Sequence, residues 1–162
     1  MNTIEFSLVP YTCDWADDPV HVLNVLVDGT ELIELVRQAE LPFALQEQQE
    51  RAEDFAPDPA PLLAGSYMRL GASYGWPGRH LLGDPYDVPW FYRDDGETMM
   101  LTCTCGIDEC WALMARIEVE ETTVRWSSFR NTHRDWDLSS LGPFTFSRPQ
   151  YESALKHSAG ER

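Results

Sequence analysis

No apolar run in the 162-residue chain approaches the roughly 18 residues a membrane-spanning helix needs, so no membrane protein is expected. Lysine is nearly missing: Lys156 is the one lysine among 12 basic residues, against 27 acidic ones. The formal net charge of -15 and a pI near 4.4 argue against binding nucleic acid through its phosphates. The opening Met1-Asn2-Thr3-Ile4-Glu5-Phe6 holds no base, so no secretory signal is expected there. Gly-x-Ser-x-Gly, Gly-x-x-x-x-Gly-Lys, Gly-x-Gly-x-x-Gly and His-Glu-x-x-His are all missing, which removes the commonest nucleophile, phosphate-loop and zinc-protease signatures. With 12% aromatics and six Trp the chain is not disordered. An acidic, globular, cytoplasmic protein is the expectation.

Cysteine is scarce but clustered. Of four Cys, Cys103, Cys105 and Cys110 fall within eight residues, which suits metal or thiol chemistry better than a dispersed disulfide framework.

Alternation and turn residues outline an α+β fold in a single domain over residues 1–162. Residues 3–9 alternate as a half-buried strand ended by Pro10, and Val20 to Val27 reads as a second strand stopped by Asp28-Gly29. Thr30 fits an N-cap for an amphipathic helix over 31–40 that Pro42 closes. The polar stretch 43–65, with Pro57, Pro59 and Pro61, reads as an internal surface linker. Strands follow over 98–103, 111–120 and 123–129, with Glu121-Thr122 as a hairpin and Val124, Trp126 and Ser128 sharing a face. Ser147 and Gln150 form a capping box for a last helix over 148–157, with Phe146 and Tyr151 at the staple positions. The order of elements predicts an antiparallel sheet made of the N-terminal strands and the 98–130 meander, with both helices on one face.

The strings Arg79-His80-Leu81-Leu82-Gly83-Asp84-Pro85, Cys103-x-Cys105-Gly106-x-x-x-Cys110-Trp111, His133-Arg134, Gly142-Pro143-Phe144-x-Phe146 and Gln150-Tyr151-Glu152 resemble a family of uncharacterised bacterial, chiefly actinobacterial, proteins. That resemblance implies a single domain in a bacterial cytoplasm and carries no activity.

Two sets of residues are candidates for function. Between Ser66 and Arg93 rings alternate with Gly and Pro, and His80, Arg79, Trp90, Tyr92 and Trp76 there suggest a ligand pocket. The second set is Cys103, Cys105, Cys110 and His133. On one strand Cys103 and Cys105 would stand about 7 Å apart, too far to share a zinc ion, but a turn at Gly106 brings the sulfurs together and swings Cys110 back. Buried structural thiols or a redox pair are the alternatives, and the standard second ligand pair of a zinc site is missing. Two classes of function follow. One is an acidic interaction protein, such as an immunity-type protein or an inhibitor of a basic effector. The other is a small zinc-dependent enzyme or ligand-binding protein that uses the Cys cluster with His133 or His80.

Overall fold

The computed structural model describes residues 1–12, 17–18, 20–50, 63–70, 79–82, 93–94, 97–103 and 111–160. Strands β1 (Ile4–Tyr11) and β2 (Val20–Val27) pair antiparallel over their whole length, Ile4 opposite Val27 and Tyr11 opposite Val20. The strand does not stop at Pro10, which sits opposite His21. β1 is an edge strand, where a residue without an N–H is tolerated.

Asp28 and Gly29 both take positive φ, 51° and 84°, the pairing a tight hairpin turn needs. Thr3 N–H and Asn2 Nδ2 donate to the Asp28 carboxylate at 2.8 and 2.7 Å and hold its pKa below the usual range. The turn leads into β3 (Thr30–Glu31), so Thr30 is a strand residue and not the N-cap the sequence suggested.

Helix α1 (Leu32–Glu50) also departs from expectation, running straight through Pro42. An interior proline costs about 3 kcal/mol. Here the buried row Leu32, Val36, Glu40 and Ala44 anchors the helix on both sides of it, so packing overrides the local penalty. The stretch read as a linker over 43–65 is therefore helical as far as Glu50, and its proline-rich part, 51–62, lies outside the described residues.

The second sheet holds β4 (Met68–Arg69), β5 (Arg93–Asp94), β6 (Glu97–Thr102), β7 (Leu113–Val119), β8 (Thr123–Asn131) and β9 (Phe144–Ser147). Its order is β4-β6-β7-β8-β9, with β5 also on β6, and every pairing is antiparallel. Helix α2 (Arg148–Gly160) follows and packs chiefly on β1. The fold is α+β. The N-terminal strands do not join the meander in one sheet, because β3 ends after two residues where the chain turns into α1. Backbone links connect the two sheets instead: Leu23 N–H donates to Leu70 O and Asn2 N–H to Thr145 O, both at 2.8 Å. Among the described residues no helix is long and apolar enough to cross a membrane.

Both sheets and both helices contribute to one main core. At its centre Trp126, Phe146 and Tyr151 are fully buried with Phe6 against them, and their rings meet largely edge to face at 5.2–6.5 Å. Trp126 Nε1 donates to Tyr151 Oη at 3.1 Å, and Tyr151 Oη donates to Leu81 O at 2.7 Å. Every polar atom of the cluster is thus satisfied while it stays dry. Gln150 departs from its expected capping role: its Nε2 donates to Ile4 O at 2.7 Å and its Oε1 accepts from Ile4 N–H at 3.2 Å. The side chain ties α2 to β1 rather than closing its own helix.

One irregularity sets the face of half of β8. Ile117 pairs Trp126 and Arg116 pairs Ser127, but Met114 then pairs Arg130, so β8 carries an extra residue there. Ser128 absorbs it at φ 56°, in the left-handed region. Ser127 and Ser128 both turn outward, and Phe129 and Asn131 become the buried residues. Ser128 therefore does not share a face with Val124 and Trp126. A non-glycine residue in the left-handed region costs about 1 kcal/mol. Ser128→Gly is expected to stabilise the protein by about 0.5–1 kcal/mol, and Ser128→Val to destabilise it by a similar amount, in urea unfolding curves.

Candidate functional site

The register brings the described members of the Cys–His set to one end of the sheet. Leu101 pairs Leu113, and Leu113 pairs Asn131 on the next strand. Cys103 lies two residues beyond Leu101, Trp111 two before Leu113, and His133 two after Asn131, so all three leave adjacent strands at the same end. Thr132 N–H donates to Ala112 O, and Ala112 N–H donates to Thr132 Oγ1, each at 3.0 Å, which prolongs the pairing toward His133. Cys103 is buried, and His133 is exposed. Cys105 and Cys110 lie outside the described residues, as do Trp76, Trp90 and Tyr92. Arg79 and His80 begin a single 3-10 turn, Arg79–Leu82, whose backbone alone is described at those two positions. Among the described residues no group of three or more His, Cys, Asp or Glu gathers as a metal-ligand set.

His133 lies nearly parallel to the Trp111 ring, with centroids 6.3 Å apart and planes 6° apart. The Arg134 guanidinium covers Trp111 at 5.1 Å and Trp136 at 5.9 Å. Trp136 in turn stacks on Phe43 of α1 at 6.4 Å. Arg134 Nε pairs Glu47 of the same helix at 2.9 Å, and Nη1 donates to His133 O at 3.0 Å. Four rings and one guanidinium therefore form a platform across the sheet end, held to α1 at two points.

Beneath the platform lies a buried polar chain that the sequence did not announce. Glu40 is fully buried, and its Oε1 accepts from Gly65 N–H at 2.8 Å. Tyr67 Oη donates to Glu40 Oε2 at 2.5 Å, and Asn131 Nδ2 donates to Tyr67 Oη at 2.7 Å. Asn131 Oδ1 accepts from His133 N–H at 2.7 Å, which ties the chain to the platform. Gly65 is required twice over. Its φ is +68°, and a Cβ there would fall 2.7 Å from Arg37 Cβ. Glu40 was nonetheless visible as a carboxylate in the apolar row Leu32, Val36, Ala44. Asn131 was not, since the bulge that turns it inward has no local signature.

Burial raises the Glu40 pKa above the ordinary carboxylate value, against the lowering effect of the bonds from Tyr67 and Gly65. Burial, then the negative charge of Glu40, pushes the Tyr67 hydroxyl far above its usual range. Tyr67 is therefore a permanent proton donor, and Glu40 is the group in this chain that can change charge. Trp111 Nε1 is buried and finds no acceptor among the described residues. Compared with known protein families, curated proteins and solved structures, the chain matches none.

The raised pKa fixes the sign of a pH effect. Glu40 releases its proton near 4.5 in the unfolded chain and at a higher pH in the folded one. Its contribution to stability is complete below about 4.5 and is lost as pH rises toward the folded value. Urea unfolding of wild type and Glu40→Gln between pH 4.5 and 7.5 is expected to show the difference moving in favour of the Gln variant as pH rises. Glu40→Ala strands the Tyr67 hydroxyl and Gly65 N–H and is expected to cost about 2–4 kcal/mol at pH 4.5, with the difference from wild type shrinking as pH rises.

Proposed function

We propose that the chain is an acidic interaction protein of the bacterial cytoplasm that binds a basic partner. An immunity-type protein or an inhibitor of a basic effector is the concrete case. The observation that carries this reading is the state of its carboxylates. Glu5, Asp17, Asp18, Glu118, Glu120, Glu121 and Asp135 are exposed and have no ion-pair partner among the described residues. Glu118, Glu120 and Glu121 crowd the tip of the β7–β8 hairpin, where a partner's Lys and Arg would meet them without first breaking an internal pair. The described acid–base groups of the interior, Glu40, Tyr67 and Tyr151, are committed to structural bonds.

The test uses the purified protein, immobilised, to capture partners at low salt and release them at high salt. A single basic protein retained in 1:1 ratio, and lost by the Glu118→Gln/Glu120→Gln/Glu121→Gln variant, is the expected result. Retention unaffected by salt and by the variant would overturn it.

A second reading is favoured by the register that sends Cys103 and His133 to one sheet end: a zinc ion held by Cys103, Cys105, Cys110 and His133, serving a small enzyme or ligand-binding protein. In sequence, Cys105 and Cys110 fall between Cys103 and Trp111, which both stand at that end. Thiolate donors select zinc or another borderline-soft ion. Elemental analysis is then expected to find one zinc per chain, and a chelator to lower the melting temperature. Metal-free protein with an unchanged melting temperature rejects this reading and leaves the first intact.

A further inference from the structure

Seven arginine side chains are described, and five of them, Arg37, Arg69, Arg130, Arg134 and Arg148, are paired with carboxylates. Arg116 and Arg125 make no ion pair or hydrogen bond among the described residues. In a chain with 27 acidic residues, a guanidinium left without a carboxylate is unusual, and these two line the same cleft. The cleft has a volume of about 620 Å³, within the range of small-molecule sites. It runs along the stretch of β8 from Ser127 to Arg130, where β9 has already stopped opposite Trp126, and the 136–143 segment forms its other wall.

Arg116 stands directly opposite Ser127 on β8, and Arg125 is two residues before Ser127 on the same strand. Arg116 and Arg125 are thus diagonal neighbours on one face, with Cβ atoms about 7 Å apart, close enough for both long side chains to converge on one group. The bulge adds Ser128 to that face. Nearby acids are accounted for. Glu97 is engaged by Arg130 through Nε and Nη2 at 2.7–3.0 Å. Asp137 accepts from Ser139 N–H at 3.0 Å within its own turn. Glu118 lies opposite Arg125 but outside the cleft lining.

We propose that this cleft is a binding site for a small molecule bearing a phosphate or carboxylate group, held by Arg116 and Arg125 with the Ser127 hydroxyl between them. The planar guanidinium fork matches both oxyanions, and Trp136 forms part of the cleft wall. The site needs no metal.

Calorimetric titration with inorganic phosphate and, separately, with succinate, against sodium chloride at equal ionic strength, tests it. Saturable binding of phosphate alone assigns a phosphorylated ligand, of succinate alone a carboxylate, and of both the shared chemistry. In each case Arg116→Gln/Arg125→Gln is expected to weaken binding about tenfold or more, while Arg37→Gln, on α1 and outside the cleft lining, leaves it unchanged. If the double variant fails to fold, Arg116→Lys and Arg125→Lys keep the charge, lose the fork and are expected to weaken binding singly. Heats indistinguishable from chloride for both anions, or equal binding by wild type and the folded arginine variants, would overturn the proposal.

Discussion

The extra residue at Ser128 is the constraint on which both sites depend. Strict alternation along β8 would bury Ser128 and Arg130 and expose Phe129 and Asn131. The bulge reverses this, at the cost of one left-handed serine. Phe129 then joins the core, Arg130 meets Glu97 in solvent reach, and Asn131 points at Tyr67. On the outer face the same residue sets Ser127 and Ser128 side by side at the cleft. One local backbone choice thus assigns the two faces of β8 to two different tasks.

The inward face carries a buried carboxylate, and the protein manages it by hydrogen bonding rather than by charge pairing. Among the described residues no cation pairs with Glu40. An unpaired ionised group in an apolar row would cost several kcal/mol, so the carboxyl is either protonated or supported by the donors aimed at it. Gly65 and Tyr67 are those donors, three positions of one tight turn supply both, and Asn131 keeps the tyrosine oriented. The chain from Gly65 to His133 links α1 to the end of β8 and is buried at Glu40, Tyr67 and Asn131. It gives the aromatic platform a rigid base, which a binding surface needs if it is to present His133 and Arg134 in one arrangement.

Much of the fold was legible because it rests on short-range patterns. Val20–Val27 has the predicted ends, the meander has the predicted hairpin at Glu121-Thr122, and Trp126 faces the core as its alternation with Val124 required. The errors have a common cause. Pro42 reads as a helix stop, but tertiary packing of Val36, Glu40 and Ala44 outweighs its penalty. Gln150 reads as a cap, but a backbone 146 residues away offers it two bonds instead of one. Of the candidate residues, Cys103 and His133 were found from spacing and do reach one end of the sheet. Tyr67 and Asn131 were overlooked because each is ordinary in its own segment, and Glu40 because a helix ended at Pro42 leaves Ala44 out of its row.

By itself the sequence determined the α+β class, the strand and helix order, the surplus of negative charge and the residues capable of thiol or imidazole chemistry. These depend on composition and on periods of two and of about four residues, which neighbours alone impose. Only the tertiary structure decided that the N-terminal hairpin forms a separate sheet, that Arg116 and Arg125 pair with no carboxylate among the described residues, and that Glu40 is buried under Tyr67. Those outcomes rest on partners 27 to 146 residues apart and on a bulge whose register is chosen by the strand beside it, and no local pattern encodes either.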